Sequence, residues 1–334
     1  MPTTPNHQII YRKPKTENRQ LLFFFLTLAL LIAGGCGPSK SPADRPIVIF
    51  CSPDAPRMRQ AIDGLRENLK AGPVEVVCAP EFGRELQTEL RRVRQLKPRL
   101  MVVLGTPALM RVAPLEKNTP VVFALVADPY FTGVAYGPEH PEDHQENVTG
   151  LASPPPLESA LQQGSGLLGK APWGLLYDPT DGVAAELAQE FTRQAPQFGI
   201  TPLTETSAAA ATDRLGLERL LARGSRVIYL PPAASAARYA PLLLDWGQRL
   251  QVMVVSGYPE GSHRGALLWV ALDYRRLGEE AAALARRVLQ GEAPKQIPIA
   301  QTTPLKVEVD EKLLRHWSGY PGKIGTPPIF LDKP

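Results

Sequence analysis

Ile47-Val48-Ile49-Phe50-Cys51, Val74-Glu75-Val76-Val77-Cys78 and Leu100-Met101-Val102-Val103-Leu104 are short runs separated by segments of helical spacing. Apolar runs of this length read as strands buried on both faces, as in a parallel sheet. Between the first two, Met58, Ile62, Leu65 and Leu69 fall on one helical face, and Gly72-Pro73 stops the helix. Between the second and third, Leu86, Leu90 and Val93 align, and Pro98 ends the segment. A short helix follows Thr106-Pro107, and Pro120 to Val126 forms a fourth strand. Strand, helix, strand at this spacing requires parallel pairing through right-handed crossovers.

Asp128 to Glu146 breaks the alternation: it is polar, holds three prolines and reads as a crossing between domains. A strand at Trp173–Tyr177 resumes it, followed by a helix carrying Val183, Leu187 and Phe191 that Gly199 closes. Ile200–Leu203 is the next strand. Its helix has Thr212 as N-cap, with Leu217, Leu220 and Leu221 inward. Val227–Leu230, a helix through Leu244 to Leu250, and Val252–Val255 follow. Ala266–Leu272 is one more buried strand, and its helix places Leu277, Ala281, Leu284 and Val288 on one face before Gly291, a natural C′ residue. Lys306–Val309 is a last short strand. The fold class is α/β, in two halves, and the chain visits the first, then the second, and returns.

Upstream lies a different signal. Leu21 to Ile32 is apolar, is preceded by Arg12, Lys13, Lys15 and Arg19, and leads into Ala33-Gly34-Gly35-Cys36. Basic residues, an apolar stretch and small residues before a cut are the layout of a bacterial export signal. The cysteine where they end resembles a lipobox, which implies that Cys36 is lipidated, carrying diacylglycerol and palmitate, and begins the mature protein. An uncleaved signal anchor is the competing reading, but the run falls short of the ~20 residues that span a bilayer. Residues 1–35 are then the signal peptide and 36–45 a tether. Removing the signal leaves 299 residues with 33 basic and 32 acidic side chains, enough for two domains and with no basic stripe for nucleic acid. Arg91-Arg92-Val93-Arg94 shares its helix with Glu85 and Glu89 and reads as a solvated face. Cys51 and Cys78 end consecutive strands, which are neighbours in a 2-1-3-4-5 sheet, so a disulfide in an oxidising compartment and two small buried thiols are both open.

Gly164-Ser165-Gly166-Leu167-Leu168-Gly169-Lys170 has the spacing of a phosphate loop, but it follows a helix and precedes a strand, and Ala171 stands where a metal-holding hydroxyl belongs. His140 and His144 lie among Glu139, Glu142 and Asp143; Pro141 argues against a helix aligning them, so a hydrated surface loop is expected rather than a metal site. His263 and His316 have no nucleophile paired in sequence, and neither G-x-S-x-G nor H-E-x-x-H occurs. No enzyme, metal or cofactor is expected. Polar residues at the C-terminal strand ends carry more: Ser52, Asp54, Thr106, Asp128, Tyr177, Asp178, Ser256 and Tyr258. Ligands of parallel sheets bind outside those ends. Each residue alone reads more readily as a helix cap, whereas the set, drawn from both halves, looks like the walls of a cleft.

Several segments resemble the solute-binding proteins of ABC transporters, in the subfamily that includes tryptophan and tyrosine binders. They are Phe123-Ala124-Leu125-Val126-Ala127-Asp128-Pro129, Asn147-Val148-Thr149-Gly150, Gly174-Leu175-Leu176-Tyr177-Asp178-Pro179, Arg264-Gly265-Ala266-Leu267, Leu272-Asp273-Tyr274 with Gly278, and Val288-Leu289-Gln290-Gly291-Glu292 before Ile297-Pro298. The resemblance runs from about Ile47 to Trp317. It implies a type I periplasmic binding fold, two Rossmann-like lobes closing on a small ligand. Pro231-Pro232-Ala233-Ala234-Ser235 and Gly257-Tyr258-Pro259-Glu260-Gly261 depart from the family's usual polar and acidic residues, and Tyr130–Glu146 is longer and more acidic than usual.

The expectation is therefore a monomeric, lipid-anchored protein on the extracytoplasmic side of a bacterial membrane. It would capture a small, amino-acid-like solute and present it to an ABC permease. Lobe one would comprise residues 46–126 and 261–293, lobe two 127–255 and 294–334, with 256–260 as hinge. The ligand-binding set would be Ser52, Thr106, Asp128, Tyr177, Asp178, Ser256 and Tyr258, with Thr106 beside Ser52 taking a carboxylate and the two tyrosines forming apolar walls. A sensor of the same fold, passing ligand occupancy to a signalling protein, is the alternative. An enzyme or a structural lipoprotein is the further rival.

Overall fold

A computed structural model of the chain describes residues 44–52, 56–80, 83–249, 252–258 and 265–316. Cys36, the signal, Asp54, Pro259–Arg264 and Trp317 onward lie outside the described residues, as does the side chain of His316. The chain forms two six-stranded sheets, each of strands hydrogen-bonded mostly in parallel and covered by helices on both faces.

The first sheet is built from β1 (Ile47–Cys51), β2 (Val74–Cys78), β3 (Leu100–Leu104), β4 (Val121–Val126), β5 (Val148–Ala152) and β11 (Ala300–Gln301). Its order is β2-β1-β3-β4-β5-β11. Every residue of β1, β3 and β5 is buried, whereas the edge strands β2 and β11 are largely not. On one face pack α2 (Arg84–Gln95), through Leu86, Leu90 and Val93, and α3 (Thr106–Val112), through Ala108, Leu109 and Val112. On the other lie α1 (Pro56–Leu69), through Met58, Ile62, Leu65 and Leu69, and α8 (Tyr274–Leu289), through Ala281, Leu284 and Val288.

The second sheet repeats the order: β7 (Thr201–Thr206), β6 (Pro172–Tyr177), β8 (Val227–Leu230), β9 (Met253–Ser256), β10 (Leu268–Leu272), then antiparallel β12 (Leu305–Val309). One face is covered by α4 (Leu157–Leu168) and α5 (Gly182–Gln194), with Trp173, Phe191 and Tyr229 among its largest buried side chains. The Phe191 and Tyr229 rings stack at 6.2 Å between centroids. The other face carries α6 (Ala210–Ala222) and α7 (Ala240–Arg249), with Tyr239, Leu243 and Trp246 beneath. A short α9 (Glu311–His316) follows β12.

Sheet membership corrects the lobe boundaries expected from sequence. The polar stretch after β4 is not a crossing; it returns the chain to β5, which pairs in parallel with β4 in the same sheet. Conversely, β10 belongs to the second sheet although the helix it feeds, α8, packs in the first lobe. The crossing lies between strand and helix, at Asp273, whose carboxylate caps α8 by accepting from Arg276 N–H at 3.1 Å. Thr212 is likewise not an N-cap: it sits inside α6, with Ala209 as the cap, and Leu221 is only half-buried. His144 is buried rather than hydrated. Its ring nitrogens lie 3.1 Å from the Gln145 carbonyl and 3.0 Å from that of Ile297.

Among the described residues three segments therefore join the lobes: Ser153–Pro156 after β5, Asp273 after β10, and Thr302–Pro304 between β11 and β12. All three leave or enter at the C-terminal ends of the parallel strands. Two are tied together, since Asp273 N–H donates to Pro304 O at 2.7 Å and Lys306 Nζ lies 3.7 Å from Asp273 Oδ1. Thr302 Oγ1 also donates to Glu280 Oε2 at 2.5 Å, fastening the third crossing to α8.

Candidate functional site

Because every crossing sits at the C-terminal strand ends, those ends of both sheets border the space between the lobes. In the first lobe Ser52 follows β1, and its N–H donates to Leu104 O at 3.4 Å, which brings it beside the turn at Gly105-Thr106. Its Oγ is buried and, among the described residues, has no hydrogen-bond partner. A Cβ on Gly105 would lie 3.2 Å from that oxygen, so glycine leaves the hydroxyl its place. Thr106 is the first residue of α3 and half-buried. The Ser52 hydroxyl thus lies against Gly105, the residue before Thr106. A buried hydroxyl without a partner costs about 1–3 kcal/mol unless something meets it.

Cys51 and Cys78, the last residues of β1 and β2, are register partners joined by a disulfide, with Cα atoms 4.6 Å apart. The bridge pins the strand end that carries Ser52.

At the end of β4 the backbone departs from regular pairing. The register with β5 shifts between Phe123 and Val126, and Leu125 has φ +58°. A leucine in left-handed conformation is strained by about 1–2 kcal/mol, and such bulges re-aim the segment that follows. Beyond it Asp128 is exposed, and its Oδ1 accepts from the N–H groups of Tyr130 (2.8 Å) and Phe131 (3.1 Å). The carboxylate expected to meet a solute thus holds its own turn.

In the second lobe Asp178 follows β6 and is 4 % exposed. Oδ1 accepts from Thr180 N–H (2.8 Å) and Oγ1 (2.6 Å), and Oδ2 from Arg238 Nη1 (2.7 Å). The Thr180 hydroxyl and the Arg238 guanidinium pull its pKa down to about 2. Arg238 also reaches Ser207 O at 2.8 Å and Asp213 Oδ1 at 3.3 Å, and Ser207 Oγ donates to Asp213 at 2.6 Å. The two carboxylates hold the guanidinium pKa above its ordinary value. Asp181 adds a further tie: Oδ1 caps α5 and Oδ2 accepts from Ser235 N–H at 2.9 Å, anchoring the segment after β8. Asp178 is therefore a structural anchor rather than a free solute contact.

The tyrosines also sit elsewhere than expected. Side chains alternate faces along a strand. Tyr177 follows Trp173 and Leu175 onto the face under α5, where it lines a shallow groove with Gln189, Thr192 and Thr204. Tyr258 shares the face of Val254, packing toward the α7 side, and its carbonyl accepts from Trp269 Nε1 at 2.9 Å. Ser256 is buried and accepts from Tyr258 N–H at 3.2 Å. Phe131, 78 % exposed on the turn that Asp128 caps, escaped sequence reasoning. The polar, proline-rich surroundings hid it.

The family described as ABC transporter substrate binding protein matches residues 46–317, nearly all of the chain outside the expected signal and tail. The chain belongs to that family. A tyrosine-binding protein of Clostridioides difficile is 21 % identical over 227 residues, 66 % of this chain and 63 % of that protein, so the match spans less than two thirds of its relative. A Streptococcus pneumoniae domain solved in complex with L-Trp superposes with TM-score 0.65 at 18 % identity, over 82 % of this chain and 94 % of the other. A ligand-free, open substrate binding protein with adhesive properties from Clostridium difficile reaches TM-score 0.71 at 18 % identity, over 81 % and 94 %. At such identities these likenesses establish the two-lobed fold. Among the described residues no helix of this substrate-binding protein is long and apolar enough to cross a membrane.

Proposed function

We propose that this protein is the extracytoplasmic, lipid-anchored receptor of an ABC importer and takes an aromatic amino acid between its lobes. One observation carries the reading: three crossings gather at the C-terminal ends of two parallel sheets, so hinge motion there closes both sets of strand ends on one ligand. The lobe-one contacts would be Ser52 and Thr106, where the unpartnered Ser52 hydroxyl suits a carboxylate. Tyr177, Asp178, Ser256 and Tyr258 would support the opposite wall from behind. The tyrosine-binding relative and the L-Trp complex favour an aromatic solute. Binding and release require no chemistry from the chain. Cys36 would supply the anchor and an ABC permease the partner.

Calorimetry on the purified mature protein with L-tryptophan and L-tyrosine tests the ligand. Saturable binding of either is expected, weakened about 1–3 kcal/mol by Ser52→Ala and by Thr106→Ala. No heat with either amino acid, and another solute found by native mass spectrometry, would refute the ligand class. Cys36→Ser should leave unlipidated, uncleaved precursor; a lipid-free mature N-terminus elsewhere would refute the anchor.

A further inference from the structure

The turn after β4 carries two neighbouring rings with opposite surroundings. Tyr130 packs against the first lobe's core, while Phe131 is 78 % exposed. The backbone between them is fixed from several directions. Asp128 Oδ1 accepts from both N–H groups, Thr132 donates to Pro129 O through its N–H (3.2 Å) and Oγ1 (2.5 Å), and Gly133 N–H donates to Tyr130 O at 3.2 Å. Gly133 closes the turn at φ +76°, where side chains are disfavoured. An exposed ring on a loose tip needs no explanation, but here the ring is held out on a rigid frame. The frame stands at the C-terminal end of β4, directly after the strained bulge at Leu125 and on the border of the inter-lobe space. Strain retained beside such a border is a pointer to function.

We propose that Phe131 is a ligand-contacting residue, the lobe-one ring against which a flat side chain of the solute stacks as the lobes close. Asp128 is its positioning residue. The inference rests on the reading of the inter-lobe space as an amino-acid site and deepens it: the pocket selects aromatic side chains. Stacking on a preorganised ring adds to burial, and little ordering cost remains when the turn is already tied. Tyr136, 76 % exposed on the same loop, raises the other use of such rings, a docking face for a protein.

Affinities of the mature protein and its variants for L-tryptophan and L-tyrosine decide the matter. Phe131→Ala is expected to weaken both by about three- to tenfold with an unchanged melting temperature, and Phe131→Trp to restore them. Asp128→Ala should weaken them similarly, and the double variant should lose no more than Phe131→Ala alone. That non-additivity is not expected of a purely structural carboxylate. If the unmodified protein binds an aromatic amino acid and Phe131→Ala binds it within twofold, the inference is overturned and the ring belongs to a docking face. Additive losses in the double variant would overturn the role of Asp128. If the unmodified protein binds neither amino acid, the functional reading falls first and this inference with it.

Discussion

Asp178 shows how a strand-end carboxylate can look like a ligand contact and be committed elsewhere. Its five neighbours in the family-like segment Gly174–Pro179 give no hint of Arg238, sixty positions away, which supplies the guanidinium. The consequence is a pH signature. The folded pKa is depressed to about 2, below the roughly 3.9 of an unfolded aspartate, so the stabilisation is present above pH 4 and is lost as pH falls through 2. Asp178→Asn should therefore lower the urea midpoint at pH 7, and the gap from the unmodified protein should narrow between pH 4 and pH 2. A gap that stays constant across that range would mean that Arg238 gains nothing from the charge. Ser52 and Thr106 were legible as residue types at strand ends, but the missing partner of the Ser52 hydroxyl was not. Hydrogen-bond satisfaction depends on three-dimensional neighbours.

At the scale of elements, the helices were readable because their apolar faces repeat, and the fully buried strands because they are uninterrupted. The strand β5 was not, because Asn147, Thr149 and Gly150 break its apolar run. Each has a packing reason: Asn147 Nδ2 donates to the carbonyls of Glu116 and Thr119, Thr149 Oγ1 donates to Ile297 O, and a Cβ on Gly150 would come within 2.4 Å of the Phe123 ring. A segment with family likeness was therefore structural. The pair α1 and α8 shows the same logic at a helix crossing. A Cβ on Gly278 would lie 2.0 Å from Ala61 O, and one on Gly64 would lie 2.2 Å from Arg275 O, so the two backbones touch through glycines. Arg275 pairs with Glu67, and Arg286 donates to Asn68 O, along the same contact. Gly278→Ala gains helix propensity of under about 1 kcal/mol but meets backbone that cannot yield. The expected net loss is about 2–3 kcal/mol in chemical denaturation. A neutral or stabilising result would show that α8 can slide on α1, and that the crossing at Asp273 is looser than its hydrogen bonds suggest.

At the scale of the molecule, each lobe has its own sheet and its own pair of cores, and three short crossings hold the two together. The alternation of strands and helices made this plan readable, but it assigned β5, β10 and β11 to the wrong lobe, because the chain changes lobes just after each of them. Such a plan predicts that stability can be removed from one lobe alone. The Cys51–Cys78 disulfide closes 27 residues of the first lobe, from the end of β1 through α1 to the end of β2. The chain-entropy argument gives its removal a cost of about 3.5 kcal/mol. That cost falls on the first lobe, since both ends of the closed loop lie there. The variant with Cys51→Ser and Cys78→Ser should keep the second lobe's melting temperature and lower that of the first. Scanning calorimetry should then resolve two transitions, and near-ultraviolet signals from Trp173 and Trp246, both buried in the second lobe, should follow the later one. A single transition shifted as a whole would show that the crossings couple the lobes into one cooperative unit. In that case the bridge stabilises the entire receptor, and with it both walls of the site.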